Sequence, residues 1–407
     1  MTKVGNLETR TYELECVSPV HVGNGETLRA FEYLYDSANR YVYFIDEGKW
    51  IAFLQRHNLT DAFAERLMNI AAAKQNMADS LWDWLLKKGI PEEELKGLGE
   101  RKAKATTLEI TDGEKRSLND IHVQMATAEG RPYIPGSSIK GALRTAVLFH
   151  LIKNDYETYQ SFWADIEKLI EAGKQKMKVF VNGRSRELTL DSIMKELDKK
   201  AFSRMDLKKT DWNGKTKYAT DEANSVMRGL RVSDGFCVDP VTETVVLQKV
   251  DATTYFNREN NISLYRECIP AGTKIRFTVT TDKGFLSKIG IESFDEILEM
   301  ARDFLQQGLQ FQKEIFGDLY PAEMEEAGNA DMLLGGGTGF FSKTVFYQLA
   351  PDKTKAQELL KRYFDSRSKH KHQANDKFIT PRTLKLTRTD AGTSLMGLCK
   401  MCEVTGC

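Results

Sequence analysis

Stretches whose apolar residues recur at every second position are interleaved, in no regular order, with stretches at three- and four-residue spacing. That mixed order most constrains the fold, because it excludes a helical bundle, an all-β sandwich and a regular alternation of strand and helix. Leu7 to Val17 (LETRTYELECV) alternates and places Tyr12, Leu14 and Cys16 on one strand face. It runs into SPVHVGNG, a loop punctuated by proline and glycine, and then into strand-like stretches at 28–36 and 41–45. Helical spacing follows in EGKWIAFLQRH and TDAFAERLMNIAAAKQNMADSLWDWLLKKG, with Thr60 as an N-cap. Residues 96–120 are polar and aperiodic and read as a loop or mobile insertion. Further helices are predicted at 155–172 and 187–200. Strands are predicted within 226–281, in VMRGLRVSD, TVVLQKVDATT, NISLYRECI and TKIRFTVTT. The last third mixes helices (293–310 and 355–366) with a glycine-rich turn at 335–339 and a strand at 382–388. No short-period repeat is present, which argues against a solenoid. The pattern is α+β with a domain boundary near 255–260.

A chain of 407 residues accommodates two or three domains, and 41% apolar content is too high for a disordered polymer. No window of about 18 apolar residues exists, so a helical membrane span is excluded. The start, MTKVGNLETRTYELE, is charged and has no apolar core of a secretory signal. Six cysteines, three of them in the last nine residues, make no disulfide framework. The expectation is a soluble cytoplasmic protein. Lys plus Arg and Asp plus Glu both number 58, which rules out a uniformly basic nucleic-acid coat. The charge is nevertheless segregated. Residues 174–217 carry 13 basic against 6 acidic side chains, and 361–388 carry 9 against 2. Residues 291–331 carry 11 acidic against 2 basic. This pattern fits one face for a polyanion and another for a different partner, or simply solvated helix faces.

Two motifs carry chemistry. In RPYIPGSSIKGALRTAV, Arg131 to Val147, Pro135-Gly136 makes a turn and Ser137 or Ser138 can cap the helix that follows. Ile139, Leu143, Ala146, Val147 and His150 line one side of that helix. Its N-terminus offers unpaired N–H groups to a phosphate, and Lys140 and Arg144, four residues apart, add charge on one face. Taken alone, it is also an ordinary capped amphipathic helix with two solvated cations. The second motif is GGGTGFFSKT, Gly335 to Thr344. Gly335, Gly336, Gly337 and Gly339 let the backbone adopt positive φ and approach a ligand, and successive amides around Thr338 can form an anion-binding nest. Phe340 and Phe341 can stack on a base or join the core, and Lys343 can neutralise a phosphate. The GK[ST] ending of a Walker A loop and the βαβ setting of a dinucleotide fingerprint are both missing.

SPVHVGNG after the first strand, YIPGSSIKGALRTAV and the late GGGTGFF loop together resemble the RAMP superfamily of CRISPR-associated RNA-binding proteins. Motif order and chain length are most similar to the terminal RAMP subunit of the type III-A (Csm) interference complex, over 9–25, 131–150, 228–236 and 333–345. The resemblance implies tandem ferredoxin-like (RRM-like) RAMP domains, the first over 1–255 with a large, mainly helical insertion at about 23–131. The second would cover 256–407 and carry the glycine-rich loop. It further implies a prokaryotic cytoplasmic subunit that grips the 3′ region of the guide RNA (crRNA) and supports its maturation in antiviral defence. The RNA-binding residues would be His21, Arg131, Ser137, Ser138, Lys140, Arg144, Gly335, Gly336, Gly337, Thr338, Gly339, Phe340 and Lys343. Implied partners are the crRNA, the neighbouring RAMP backbone subunit and a small helical subunit, without a membrane and without a cofactor.

The repeated backbone subunits of such complexes resemble metal-dependent endoribonucleases that use a loop aspartate. Asp112 and Asp120 sit in a polar stretch where one would lie, but no second carboxylate stands at ligand spacing. His370 and His372, in SRSKHKHQ, read as part of a basic RNA-contacting stretch rather than an acid–base pair. Cys399-x-x-Cys402, with Cys407 beyond, lacks a visible fourth ligand for zinc. The expectation is a guide-RNA-binding cap with no catalytic or metal residues. The alternatives are a RAMP endoribonuclease that cuts or trims RNA, and a scaffold whose acidic stretch recruits a host maturation nuclease.

Overall fold

In a computed structural model of the chain, the structure describes residues 2–73, 80–106, 109–112, 115–181, 184–219, 221–241, 243–254, 259–367, 369 and 371–404. Two large sheets organise it. The first is antiparallel and runs in the order Tyr133–Ile134, Gly235–Cys237, Lys274–Asp282, Leu7–Cys16, Leu398–Glu403, Met332–Leu333. Its inner face follows the alternation read from sequence: Tyr12, Leu14 and Cys16 are all at most 1% exposed. They meet Ile275, Phe277 and Val279 of the neighbouring strand. The Gly136–Asn154 and Phe294–Phe316 helices cover this face through Ile139, Leu143, Ala146, Val147, Ile297 and Ala301. Several carboxylates of the acidic 291–331 stretch are exposed and paired, Asp295 with Arg10, Asp303 with Lys153 and Glu314 with Lys353, whereas Asp331 is buried against Arg302 and Met401 N.

The second sheet is mixed, in the order Gly23–Leu28, Ile121–Gln124, Glu259–Cys268, Glu243–Ala252, Gly99–Ala105, Tyr41–Ile45, Tyr33–Asp36, with Leu384–Thr389 also pairing Glu243–Ala252. The boundary expected near 255–260 falls largely outside the described residues; the strands flanking it pair antiparallel with each other. Among the described residues, the segment 23–131 holds four helices and contributes strands to this sheet. Those helices close on their own core, in which Trp50 and Trp82 are 9% and 3% exposed and Trp82 stacks on Tyr43 at 5.5 Å.

Two local expectations need correction. Residues 99–105 are not a mobile loop but an interior strand, GERKAKA. Its inward positions are Arg101, Ala103 and Ala105, too small or too polar to give an apolar signal. Thr60 does not cap its helix: Leu59 O already accepts from Phe63 N at 2.8 Å, so Thr60 is the first helical residue. The basic 174–217 stretch builds two hairpins, Lys176–Val181 with Arg184–Thr189 and Lys208–Thr210 with Thr216–Tyr218, around the Leu190–Phe202 helix. Trp212, at the tip of the second hairpin, is 92% exposed.

Candidate nucleic-acid interface

The helix of the PGSS motif begins at Gly136, packed against the 232–234 segment so closely that a Cβ would lie 2.6 Å from Ser233 O. Only glycine fits there. The closeness lets Asp234 Oδ1 accept from Gly136 N at 2.8 Å. The cap is therefore a carboxylate from a distant loop, and neither Ser137 nor Ser138 makes the expected side-chain bond. An anion already occupies part of the positive helix end. Ser137 is exposed and Ser138 half-buried. Lys140 is half-buried; desolvation, then Arg144 and Arg231, lower its pKa. Arg144 is not a free cation on a solvated face. Its guanidinium holds Asp198 through contacts of 2.6 and 3.1 Å and lies 4.1 Å over the Phe202 ring. Arg131 is exposed, on a tight turn closed by Thr127 N donating to Arg131 O at 2.9 Å.

The glycine-rich loop docks on the loop after the first strand. Gly336 N donates to His21 O at 2.7 Å, and Leu334 N to Gly397 O at 2.8 Å. Gly335, Gly337 and Gly339 have φ of +85°, +87° and +90°, the left-handed region that favours glycine; Gly336 does not. Thr338 is buried, its hydroxyl donating to Gly335 O at 3.3 Å while accepting from Ser342 at 2.8 Å. Phe340 sits edge-on to Phe341 and Phe364, at 5.9 and 6.0 Å, and Phe341 also meets Phe311 and Tyr347. The two rings thus belong to a half-buried aromatic cluster that anchors the far end of the loop.

What lies under the loop was only partly legible. His21 is 6% exposed, and its Nδ1 sits 2.6 Å from Glu267 O. Burial drives the His21 pKa down to about 4, against the opposing pull of that hydrogen bond. Glu267, fully buried, accepts from Arg101 Nε and Nη2 at 2.9 and 3.1 Å, from Thr244 Oγ1 at 2.8 Å and from Gln124 N at 3.0 Å. Gln124 Oε1 in turn accepts from Val22 N at 2.8 Å, so this network fixes the His21 backbone from below. Arg266 alternates to the opposite sheet face, beside His122 on the parallel neighbour strand. Cβ atoms added at Gly336 and Gly337 would lie 3.6 and 3.5 Å from the Arg266 guanidinium. Desolvation lowers the pKa of Arg266; desolvation and then Arg266 lower that of Lys343. Neither side chain has a hydrogen bond or ion pair to a described residue, whereas nearby Lys385 pairs with Asp251 at 2.9 Å.

The loop therefore unites His21, Gly335–Gly339 and Lys343, as the motifs predict, and adds Arg266 and His122, which they did not. An arginine–glutamate pair inside the apolar run ISLYRECI was the available signal, because a charged pair within a strand marks a buried network. Two partly desolvated cations that pair with no described residue, beside positive-φ glycines, are the chemistry that an anion such as a phosphodiester needs. Elsewhere, His372 Nδ1 lies 2.9 Å from Asp376, which also holds Arg382, so this histidine is structural. His370 and Cys407 lie outside the described residues, as does the side chain of Asp112. Cys399 is buried and Cys402 exposed, and among the described residues no cluster of three or more His, Cys, Asp or Glu could hold a metal.

The RAMP superfamily model matches residues 13–331, and the chain belongs to that family. Within it, the chain is similar to the "CRISPR system Cms protein Csm5" of Mycobacterium tuberculosis, 24% identical over 95% of this chain and 96% of that one. The Csm5 of Streptococcus thermophilus is 26% identical over 83% of this chain and 81% of its own length. A chain from a cryo-EM structure of a Csm–crRNA–target RNA ternary complex of a type III-A system superposes with a TM-score of 0.61 at 18% identity. That match covers 98% of this chain and all of the other. The crystal structure of T. onnurineus Csm5 gives 0.56 at 16% identity, covering 95% and 99%. The mixed α+β architecture with ferredoxin-like RAMP domains is thus the one expected from sequence. No described helix is long and apolar enough to cross a membrane.

Proposed function

We propose that this chain is a subunit of a type III-A Csm complex that holds the 3′ region of the crRNA without cutting it. The observation carrying this reading is the glycine-rich loop locked onto His21, with Arg266 and Lys343 beside it paired to no described residue. Backbone amides and fixed cations bind phosphates without reading bases, which suits a guide whose sequence varies. His21, under the loop, is too weakly basic, at a pKa of about 4, to take a proton near neutrality, and desolvation lowers the pKa of neighbouring His122 as well, so the site favours retention over cleavage. Its partners would be the crRNA, the adjoining RAMP backbone subunit and a small helical subunit, with a host maturation nuclease acting on the protruding RNA. One copy per particle, at the 3′ side, is expected. The test is binding of labelled crRNA to the full chain, with Mg²⁺ present and the RNA recovered afterwards. Intact RNA, bound with an affinity that falls when Arg266 or Lys343 becomes alanine, supports the proposal. Cleavage by the purified chain would favour the endoribonuclease instead.

A further inference from the structure

The imidazole beneath the loop has a second edge that no described residue uses. Glu267 O is a backbone carbonyl and only accepts, so the contact at 2.6 Å places the ring proton on His21 Nδ1. In the neutral ring this leaves Nε2 as a bare acceptor, and no described residue donates to it. His21 as a whole is 6% exposed, so its Nε2 edge opens from a built site and not from a freely solvated side chain. Two glycines flank it. A Cβ at Gly23 would stand 3.0 Å from Nε2, and one at Gly336 would stand 2.9 Å from Cδ2. The second of these glycines also borders the Arg266 guanidinium.

A phosphate oxygen carries no hydrogen and cannot satisfy an acceptor, so the phosphodiester that Arg266 and Lys343 would bind cannot itself fill this edge. The donor that accompanies every phosphodiester in an RNA strand is the ribose 2′-hydroxyl, and DNA lacks it. We infer that His21 Nε2 accepts a hydrogen bond from a ribose 2′-hydroxyl, making the loop selective for RNA over DNA of the same sequence. Gly23 and Gly336 keep that edge open. The inference rests on the crRNA-binding reading and names the feature of the strand that the site recognises.

The test compares binding of the full chain to single-stranded RNA, DNA and 2′-O-methyl RNA of one sequence, by fluorescence anisotropy. The wild-type protein should favour RNA on the order of tenfold, the cost of leaving one buried hydrogen bond unmade. The 2′-O-methyl strand should behave like DNA. Gly23→Ala, which keeps the Nδ1 bond and crowds Nε2 most closely, should bring the ratio close to one by weakening RNA binding; His21→Phe, which removes the acceptor itself, should lower the ratio too. Lys343→Ala should weaken both strands alike and preserve the ratio. Failure to bind either polymer would overturn the function proposed above. Equal wild-type affinities overturn this inference alone, as does a preference that survives Gly23→Ala, tolerates the 2′-O-methyl group, or follows base identity.

Discussion

Gly335→Ala tests whether the glycine-rich loop is a built platform or a surface turn. Gly335 has φ of +85°, and a Cβ there would fall on the His21 carbonyl, 2.9 Å from its carbon and closer still to its oxygen. Two costs combine. An alanine held in the left-handed region loses about 1–2 kcal/mol. Relieving the clash requires the two loops to part, which breaks the bond from Gly336 N to His21 O at a net cost of about 0.5–1.5 kcal/mol. Both colliding groups are main chain, so no flexible side chain can yield. Together these give a loss of about 1.5–3.5 kcal/mol. Gly141→Ala is the internal control: that glycine is exposed inside the Gly136–Asn154 helix with nothing within 4 Å of its would-be Cβ. It should gain about 0.5–1 kcal/mol. Urea denaturation of both variants, followed by RNA binding under conditions where each is folded, is the assay. Gly335→Ala should lose RNA affinity as well as stability. A change below about 0.5 kcal/mol with affinity intact would refute the docked-loop reasoning.

Other outcomes follow from the same geometry. Glu267→Ala removes the fully buried, two-point carboxylate partner of Arg101, which keeps only Glu100, and also orphans Thr244 Oγ1 and Gln124 N; it should cost about 3–5 kcal/mol in denaturant titration. Lys343→Ala and Arg266→Ala should each reduce the slope of log affinity against log salt by about 1; Arg144→Ala, whose cation is already neutralised by Asp198, should leave that slope nearly unchanged. Because His21 is held neutral with a pKa of about 4 against 6.5 when unfolded, the unfolded chain binds the extra proton between those values. Stability from this group is therefore complete above pH 6.5 and lost as pH falls toward 4, on the order of 3 kcal/mol, and His21→Phe should flatten that part of the profile. Asp234→Ala removes the carboxylate cap of the PGSS helix and should cost about 0.5–2 kcal/mol by thermal unfolding, whereas Ser137→Ala should cost almost nothing.

What the sequence determined by itself is whatever depends on spacing along the chain. The alternation of Tyr12, Leu14 and Cys16, the seam of Ile139, Leu143 and Val147, and the clustered glycines at 335–339 are local patterns, and each appears in the structure as read. Local patterns also marked His21 and Lys343, because both lie within or beside the motif loops. Tertiary structure decided which groups meet. It set Asp234, nearly a hundred residues away, at the start of the PGSS helix, and it committed Arg144 to Asp198. It also turned the polar run 99–105 into an interior strand, because Arg101 finds its counter-charge in Glu267 only when distant segments pair. Strand register brought Arg266 beside the glycine-rich loop, since alternation sends it to the face opposite Glu267. Periodicity is a property of one segment, whereas a buried charge is tolerable only beside a partner that the fold supplies.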